Sequence, residues 1–123
     1  MYLHESMTVE SGECFPMVGA IKPQCEYKGK LVRFGYIELE EQEPNFLPNG
    51  QKIRAHEFHY FDSTDNGSDC IATKPVTGRT YPCVIDRDNV WLGYAHLYYP
   101  SNPEFAHAFV RKVCDYAKIE KYT

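Results

Sequence analysis

The chain has 123 residues, of which 43% are hydrophobic and 24% are charged, a composition typical of one globular domain. Its net charge of −4 and its lack of a basic cluster argue against a nucleic-acid partner. No apolar run approaches the roughly 20 residues of a membrane helix, and the N-terminal residues lack the basic and apolar regions of a signal peptide. We therefore expect neither a nucleic-acid nor a membrane partner.

The five cysteines are scattered and form no CxxC pair, which argues against a zinc knuckle or a thioredoxin-like site. An odd number of cysteines, with no short spacing between any two of them, is typical of reduced thiols and predicts a cytoplasmic protein. Cys14 lies in a polar turn and Cys114 within the last helix. Neither position is the strand-to-helix elbow that would activate a thiolate, so we expect neither cysteine to be a nucleophile.

The first part of the chain contains two predicted strands. Pro16–Ile21 reads as a short buried strand, and Leu31–Glu40 as a long one. In the long strand Ile37 and Leu39 share one face, and the glutamates between and after them share the other. Arg33 lies among apolar residues, so its head either reaches the surface or pairs with a carboxylate.

The next predicted strand, Ile53–Phe61, carries His56, Glu57 and His59 close together. Side chains alternate along a strand, so the two histidines point to opposite faces and cannot share a metal ion. We therefore expect no metal at this motif. A hydrogen-bonded structural pair and a contribution to a pocket wall both remain open.

Two shorter strands follow, Cys70–Lys74 and Thr80–Ile85. The segment Pro75–Arg79 between them contains Gly78 and predicts a hairpin turn.

The last predicted strand is Val90–Tyr99, an apolar and aromatic run that carries His96 near its end. Pro100 ends the run, so His96 lies just before a strand-to-helix turn. In open α/β sheets this edge is where ligands bind and chemistry occurs. A buried strand histidine that is hydrogen-bonded to a neighbour is the equally weighted alternative.

A helix is predicted directly after this strand. Ser101 is a suitable N-cap, and Glu104 three residues later would complete a capping box. The residues at helical spacing are Phe105, Phe109, Val113 and Tyr116. The chain thus has about six strands and one helix, too few helices to cover a parallel sheet. It is either a small antiparallel α+β domain or the later part of an α/β domain.

Several segments together are similar to one known family. In order they are MYL at Met1–Leu3 followed by Glu5, PMVG at Pro16–Gly19, RFGY at Arg33–Tyr36, HEFHY at His56–Tyr60 and GYAHLYYPSNPEF at Gly93–Phe105. They resemble the C-terminal glutaminase domain of the cobyrinic acid a,c-diamide synthase family, class I glutamine amidotransferases of the cobalamin pathway. The resemblance implies a flavodoxin-like α/β domain, of which residues 1–123 would be a part.

The resemblance also implies a mechanism and a set of site residues. In the family a cysteine thiolate attacks glutamine, a histidine passes a proton to the leaving ammonia, and an ATP-dependent synthetase domain amidates the a and c carboxylates of a corrin precursor. His96 matches the catalytic histidine, and Arg33 lies where related glutaminases hold the glutamine carboxylate. We assign Arg33 to substrate binding, together with the HEFHY residues His56, Glu57 and His59.

Two departures from the family limit this expectation. The nucleophile's E-C-G-G-like motif would precede the MYL segment, and none of the five cysteines matches it. Tyr98 stands where many class I amidotransferases carry a glutamate that orients the histidine. We therefore expect a partial domain without glutaminase activity or a cofactor of its own, because ATP and Mg²⁺ belong to the absent synthetase domain.

Two other function classes remain open, a non-catalytic binding module derived from the same domain and a histidine-based hydrolase or metal enzyme. Exposed apolar sheet surface in a partial domain further predicts a homodimer or larger assembly.

Overall fold

The computed structural model describes residues 1–118 and mixes β-strands with one α-helix. In chain order the strands are β1 (Ser6–Thr8), β2 (Cys14–Pro16), β3 (Cys25–Tyr27), β4 (Arg33–Glu41), β5 (Lys52–His59), β6 (Phe61–Ser63), β7 (Cys70–Thr73), β8 (Thr80–Cys83), β9 (Ile85–Arg87), β10 (Val90–Leu92) and β11 (His96–Leu97). The helix α1 spans Glu104–Ala117. This mixture agrees with the expected presence of both α and β structure.

The chain divides into two compact units. The first comprises Met1–Gly35 and Glu57–Asn66, and the second comprises Tyr36–His56 and the described residues from Gly67 onward. Strands β4 and β5 each contribute residues to both units.

A four-stranded sheet in the order β2-β1-β3-β6 forms the first unit. β1 and β3 pair in parallel, whereas β1–β2 and β3–β6 are antiparallel. The predicted strand Pro16–Ile21 is wrong, because β2 ends at Pro16 and its three residues are exposed. Gly19 adopts a φ of 69°, which turns the chain away from an extended conformation.

His4 is the buried polar side chain that ties the N-terminal segment to this sheet. Its Nδ1 donates to the carbonyl oxygen of Met1 at 2.9 Å, and its Nε2 lies 2.9 Å from Ser63 Oγ. Burial lowers the pKa of His4, and the bond to the Met1 carbonyl opposes this effect only in part.

A five-stranded sheet in the order β11-β5-β4-β7-β8 carries the core of the second unit. The predicted hairpin is confirmed, since β7 and β8 are antiparallel partners with Cys70 opposite Cys83. The predicted faces of β4 are also confirmed, since Ile37 and Leu39 are each only 1% exposed. Together with Phe46, Leu47 and residues of β5, they form the hydrophobic core.

Glu41 ends β4 with a buried carboxylate that holds the following loop. Its oxygens accept hydrogen bonds from the backbone N–H groups of Asn45, Phe46 and Leu47 at 2.9–3.0 Å. These bonds place Phe46 in the core, where its ring stacks on that of Phe105 with centroids 5.0 Å apart.

The chain changes direction at Val84, which has a φ of 71° although it is β-branched and buried. Gly67 and Gly93 both approach it so closely that a Cβ on either would press on Val84. β9 and β10 then form a separate two-stranded sheet. The predicted continuous strand Val90–Tyr99 is therefore wrong, because β10 ends at Leu92 and β11 begins at His96.

α1 begins later than predicted, after a 3-10 turn at Tyr99–Ser101, and its N-cap is Pro103. The capping-box prediction is wrong because Ser101 has other partners. Its Oγ donates to the Tyr98 carbonyl at 2.7 Å and accepts from the Arg54 N–H at 2.9 Å. No helix among the described residues is long and apolar enough to cross a membrane.

The buried face of α1 also differs from the predicted stripe. Phe105 and Ala108 are buried, whereas Phe109 and the later members of the stripe are exposed. Lys112 occupies the next position on the packed face. Its Nζ lies 4.9 Å from the centroid of the Phe46 ring and donates to Asn45 Oδ1 at 2.6 Å. The more apolar face of α1 therefore points to solvent.

Candidate functional site

The pairing of β5 with β11 brings two histidines together. The strands are antiparallel, with His96 directly opposite His56 and Leu97 opposite Ala55. The Tyr98 N–H extends this pairing by donating to the Arg54 carbonyl at 2.8 Å. Directly opposite residues of an antiparallel pair project from the same face of the sheet, so the two imidazoles are neighbours.

Strands β4, β5 and β11, together with Tyr98 directly after β11, contribute two rows of side chains to this face. The first row is Tyr36, His56 and His96, in which the Tyr36 and His56 rings meet edge to face with centroids 5.4 Å apart. The second row is Glu38, Arg54 and Tyr98, in which Arg54 Nε lies 3.9 Å from Glu38 Oε1.

Both rows line a cavity of about 630 Å³. The cavity opens to solvent, because Tyr36 is 74% exposed and Tyr98 is 59% exposed. Imidazoles can carry protons near neutral pH, and a guanidinium paired with a carboxylate can bind a polar ligand of either charge. The lining of the cavity therefore combines two imidazoles and one charged pair with apolar side chains such as Ile37 and Leu97.

The predicted site residues fall into different parts of the chain. His96 and His56 line the cavity in the second unit, whereas Glu57 and His59 lie in the first. Glu57 is 3% exposed, and His59 Nδ1 donates to the Phe61 carbonyl at 2.7 Å, with Nε2 3.8 Å from Glu57 Oε1. The alternation predicted for β5 is confirmed, and the substrate-binding roles of Glu57 and His59 stay predictions.

Arg33 lies half-buried on β4, in the part of that strand that belongs to the first unit. Its assignment to the same substrate as His96 therefore stays a prediction.

All five cysteines lie in the described residues as free thiols. In the second unit, Cys70 and Cys83 are buried and Cys114 is half-buried on α1. Burial, reinforced by the nearby Asp86 carboxylate, raises the pKa of the Cys70 thiol. A raised pKa suppresses the thiolate, so Cys70 is poorly suited to be a nucleophile. Within residues 1–118, no group of three or more acidic, cysteine or histidine side chains is placed to hold a metal ion.

Reasoning from the sequence did not assign to a site the other four polar side chains of this cavity, namely Tyr36, Glu38, Arg54 and Tyr98. Alternation along β5 could have placed Arg54 beside His56, because residues two apart share a face. The register of β11 on β5 has no comparable signal, since neither strand contains a turn that fixes it.

Relatives of known name match nearly the whole chain, although no family model matches it. The chain is 29% identical over 117 residues to cobyrinate a,c-diamide synthase of Leptospira interrogans, covering 90% of the chain and 26% of that protein. It is 33% identical over 112 residues to the enzyme of the same name from Picrophilus torridus, covering 90% and 23% respectively.

A third similar protein is the cobyrinate a,c-diamide synthase of Salmonella typhimurium, 29% identical over 109 residues, which covers 85% of the chain and 24% of that protein. The resemblance expected from the ordered motifs is thus confirmed. This chain is related to the cobyrinate a,c-diamide synthases and spans about a quarter of the length of these relatives.

Proposed function

We propose that this chain is the histidine-bearing part of a flavodoxin-like glutaminase domain in a cobyrinate a,c-diamide synthase of cobalamin biosynthesis. The observation that carries the proposal is the similarity to these synthases along nine-tenths of the chain. Support comes from the cavity beside His96, whose volume of about 630 Å³ suits a small-molecule ligand.

The proposed reaction begins with attack of a cysteine thiolate on the side-chain amide carbon of glutamine. His96 gives a proton to the amide nitrogen as the C–N bond breaks, so that ammonia leaves and a glutamyl thioester remains. Water then hydrolyses the thioester to glutamate and restores the thiol. In this scheme His56 lines the pocket beside His96. The substrate-binding roles of Arg33, Glu57 and His59, with Arg33 on the glutamine carboxylate, are those that the family resemblance implies.

The ammonia would pass to a synthetase domain that uses ATP and Mg²⁺ to amidate the a and c carboxylates of the corrin precursor. The thiol must come from outside this sequence, because none of its five cysteines matches the family's nucleophile. The buried environments of Cys70 and Cys83 support that view. We therefore propose that the 123-residue chain alone is inactive as a glutaminase.

A chimera tests this proposal. The segment of the Picrophilus torridus synthase that matches this chain is replaced by the chain itself, and glutamate release from glutamine is measured. The chimera should release glutamate, and His96→Ala should reduce the rate by about 10²–10⁴-fold. His107→Ala, at an exposed position on α1, is the matched control and should retain the rate.

Two results would contradict the proposal. One is a folded chimera without activity, which would favour the alternative of a non-catalytic binding module. The exposed apolar face of α1 is the observation that supports this alternative. The other is His96-dependent glutamate release by the free chain, which would show that it needs no external thiol.

A further inference from the structure

We propose that His56 and His96 together bind one divalent ion of the Ni²⁺, Cu²⁺ and Zn²⁺ class through their imidazole nitrogens, on the open face of the sheet. The site takes only His56 from the HEFHY motif, and its second ligand lies on another strand. His56 cannot reach a shared ion with His59 on its own strand, but its cross-strand partner is a second histidine.

The strand geometry brings the two donors within reach of one ion. Directly opposite residues of an antiparallel pair have Cβ atoms about 4.5–5.5 Å apart and project side by side. An imidazole nitrogen binds such an ion at about 2.0–2.1 Å. Two rings that rise from neighbouring positions can therefore converge on one ion by side-chain rotation alone, without a change in the backbone.

The neighbours of the pair favour this use. The Tyr36 ring meets the His56 ring edge to face with centroids 5.4 Å apart, so an aromatic side chain borders the pair on one side. Arg54 faces the same cavity and would repel a cation, but the carboxylate of Glu38, 3.9 Å from the guanidinium, offsets this charge. The local field therefore permits a divalent ion to enter.

The ligand type sets the class of ion. Imidazole suits first-row transition metals, whereas Mg²⁺ and Ca²⁺ prefer oxygen ligands. Among the described residues, no third side chain is placed to bind the same ion as His56 and His96. Water therefore completes the coordination, and the ion exchanges readily. This inference is independent of glutamine hydrolysis, since it needs neither glutamine nor a thiol.

Titration of the full chain with Ni²⁺ tests the inference, because paramagnetic Ni²⁺ broadens the NMR signals of the residues that it contacts. At less than one ion per chain, the His56 and His96 signals should broaden first. By calorimetry, His56→Gln and His96→Gln should each weaken binding about tenfold or more, since each leaves a single imidazole. His107→Gln removes an exposed imidazole beside Glu104 and should change the affinity by less than about twofold.

Three outcomes would overturn the inference: no saturable Ni²⁺ binding below about 1 mM, unchanged affinity in both histidine variants, or first broadening at His107 or the exposed Cys14. The broadening pattern of the unsubstituted chain decides the matter even where a variant fails to fold. Loss of glutaminase activity in the chimera would not bear on it.

Discussion

Asn45 donates a hydrogen bond from Nδ2 to Asp86 Oδ1 at 2.6 Å and so ties the loop after β4 to β9. The Asp86 carboxyl is partly buried near the carboxylates of Glu41 and Asp69. Burial is the main cause that raises the pKa of Asp86 to about 7, the two carboxylates add to it, and the bond from Asn45 opposes it.

This raised pKa predicts that the second unit loses stability as the pH rises from about 4 to about 7. The folded carboxyl keeps its proton up to about pH 7, whereas the unfolded one releases it near its ordinary value of 3.8. Unfolding therefore releases a proton within that window, and higher pH favours the unfolded chain. Above about pH 7 both states are ionised and the dependence ends.

Asp86→Asn should remove this dependence and raise the free energy of unfolding at pH 8 by about 1 kcal/mol, a value reduced for solvent screening. Urea unfolding followed by Trp91 fluorescence at pH 5 and pH 8 measures it. Asp88→Asn removes the same charge from an exposed turn and should change the free energy by less than about 0.5 kcal/mol. Equal pH dependence in the Asp86 variant and the unsubstituted chain would refute the prediction.

His4 predicts the opposite pH dependence for the first unit. Its lowered pKa means that the folded imidazole resists protonation, whereas the unfolded one takes up a proton near its ordinary value of 6.5. The contribution of His4 to stability is thus present above about pH 6.5 and is lost as the pH falls below it. Hydrogen exchange of the β1 and β3 amides, corrected for intrinsic rates, should show lower protection at pH 5 than at pH 7. Constant protection would contradict this.

Glu41→Gln should lower the free energy of unfolding by about 2 kcal/mol, because a neutral amide replaces a carboxylate that accepts three backbone N–H bonds. Glu40→Gln is the matched control, because Glu40 directly precedes Glu41 but lies on the more exposed face, with its Oε2 3.9 Å from Lys52 Nζ. This substitution should lower the free energy of unfolding by less than about 0.5 kcal/mol. Chemical denaturation measures both variants. A similar loss in both would show that the loop does not depend on the buried carboxylate.

Gly67→Ala should cost more than about 3 kcal/mol, since it combines a φ of 75° with a collision against the Val84 carbonyl group. Gly78→Ala separates the two causes, because Gly78 has a φ of 70° but open space around its Cβ position. That variant should cost only about 1 kcal/mol. Thermal unfolding of the two variants makes the comparison, and equal losses would mean that the close approach to Val84 is unimportant.

The exposed face of α1 predicts self-association. It consists of Phe109, Val110, Val113 and Tyr116, each at least 48% exposed. A contiguous apolar helix face in water favours burial against a second surface. Sedimentation should show a dimer or larger assembly, and Phe109→Lys combined with Val113→Lys should shift it toward the monomer with little change in melting temperature. A monomeric unsubstituted chain would contradict the prediction.

Local periodicity was sufficient to predict the faces of β4 and β5 and the β7–β8 hairpin. In each of these, alternating burial or a glycine-containing turn is encoded within a few neighbouring residues. The position of His96 on a strand that precedes a helix was predictable for the same reason. The capping box failed because Ser101 bonds to Arg54, a residue 47 positions away.

The cavity could not be predicted because it depends on strand register. Nothing near His96 in the sequence indicates that His56 is its partner, since the two residues are brought together by pairing across a long intervening segment. The predicted helical stripe failed for a related reason. Lys112 places its ammonium over the Phe46 ring, so a charged residue lies on the packed face of α1, whereas periodicity assigned that face to Phe109 and Val113.

The left-handed backbone of Val84 makes conflicting demands on the side chain at that position. Glycine would suit the φ of 71°, but the surrounding core is filled by a branched apolar side chain that is 1% exposed. Local preference and tertiary packing disagree at this residue, a form of frustration that folded proteins tolerate at few positions. Replacement of Val84 by glycine would relieve the backbone strain but would leave a cavity in the core. Few residue types can therefore occupy this position, where the chain turns from β8 to β9.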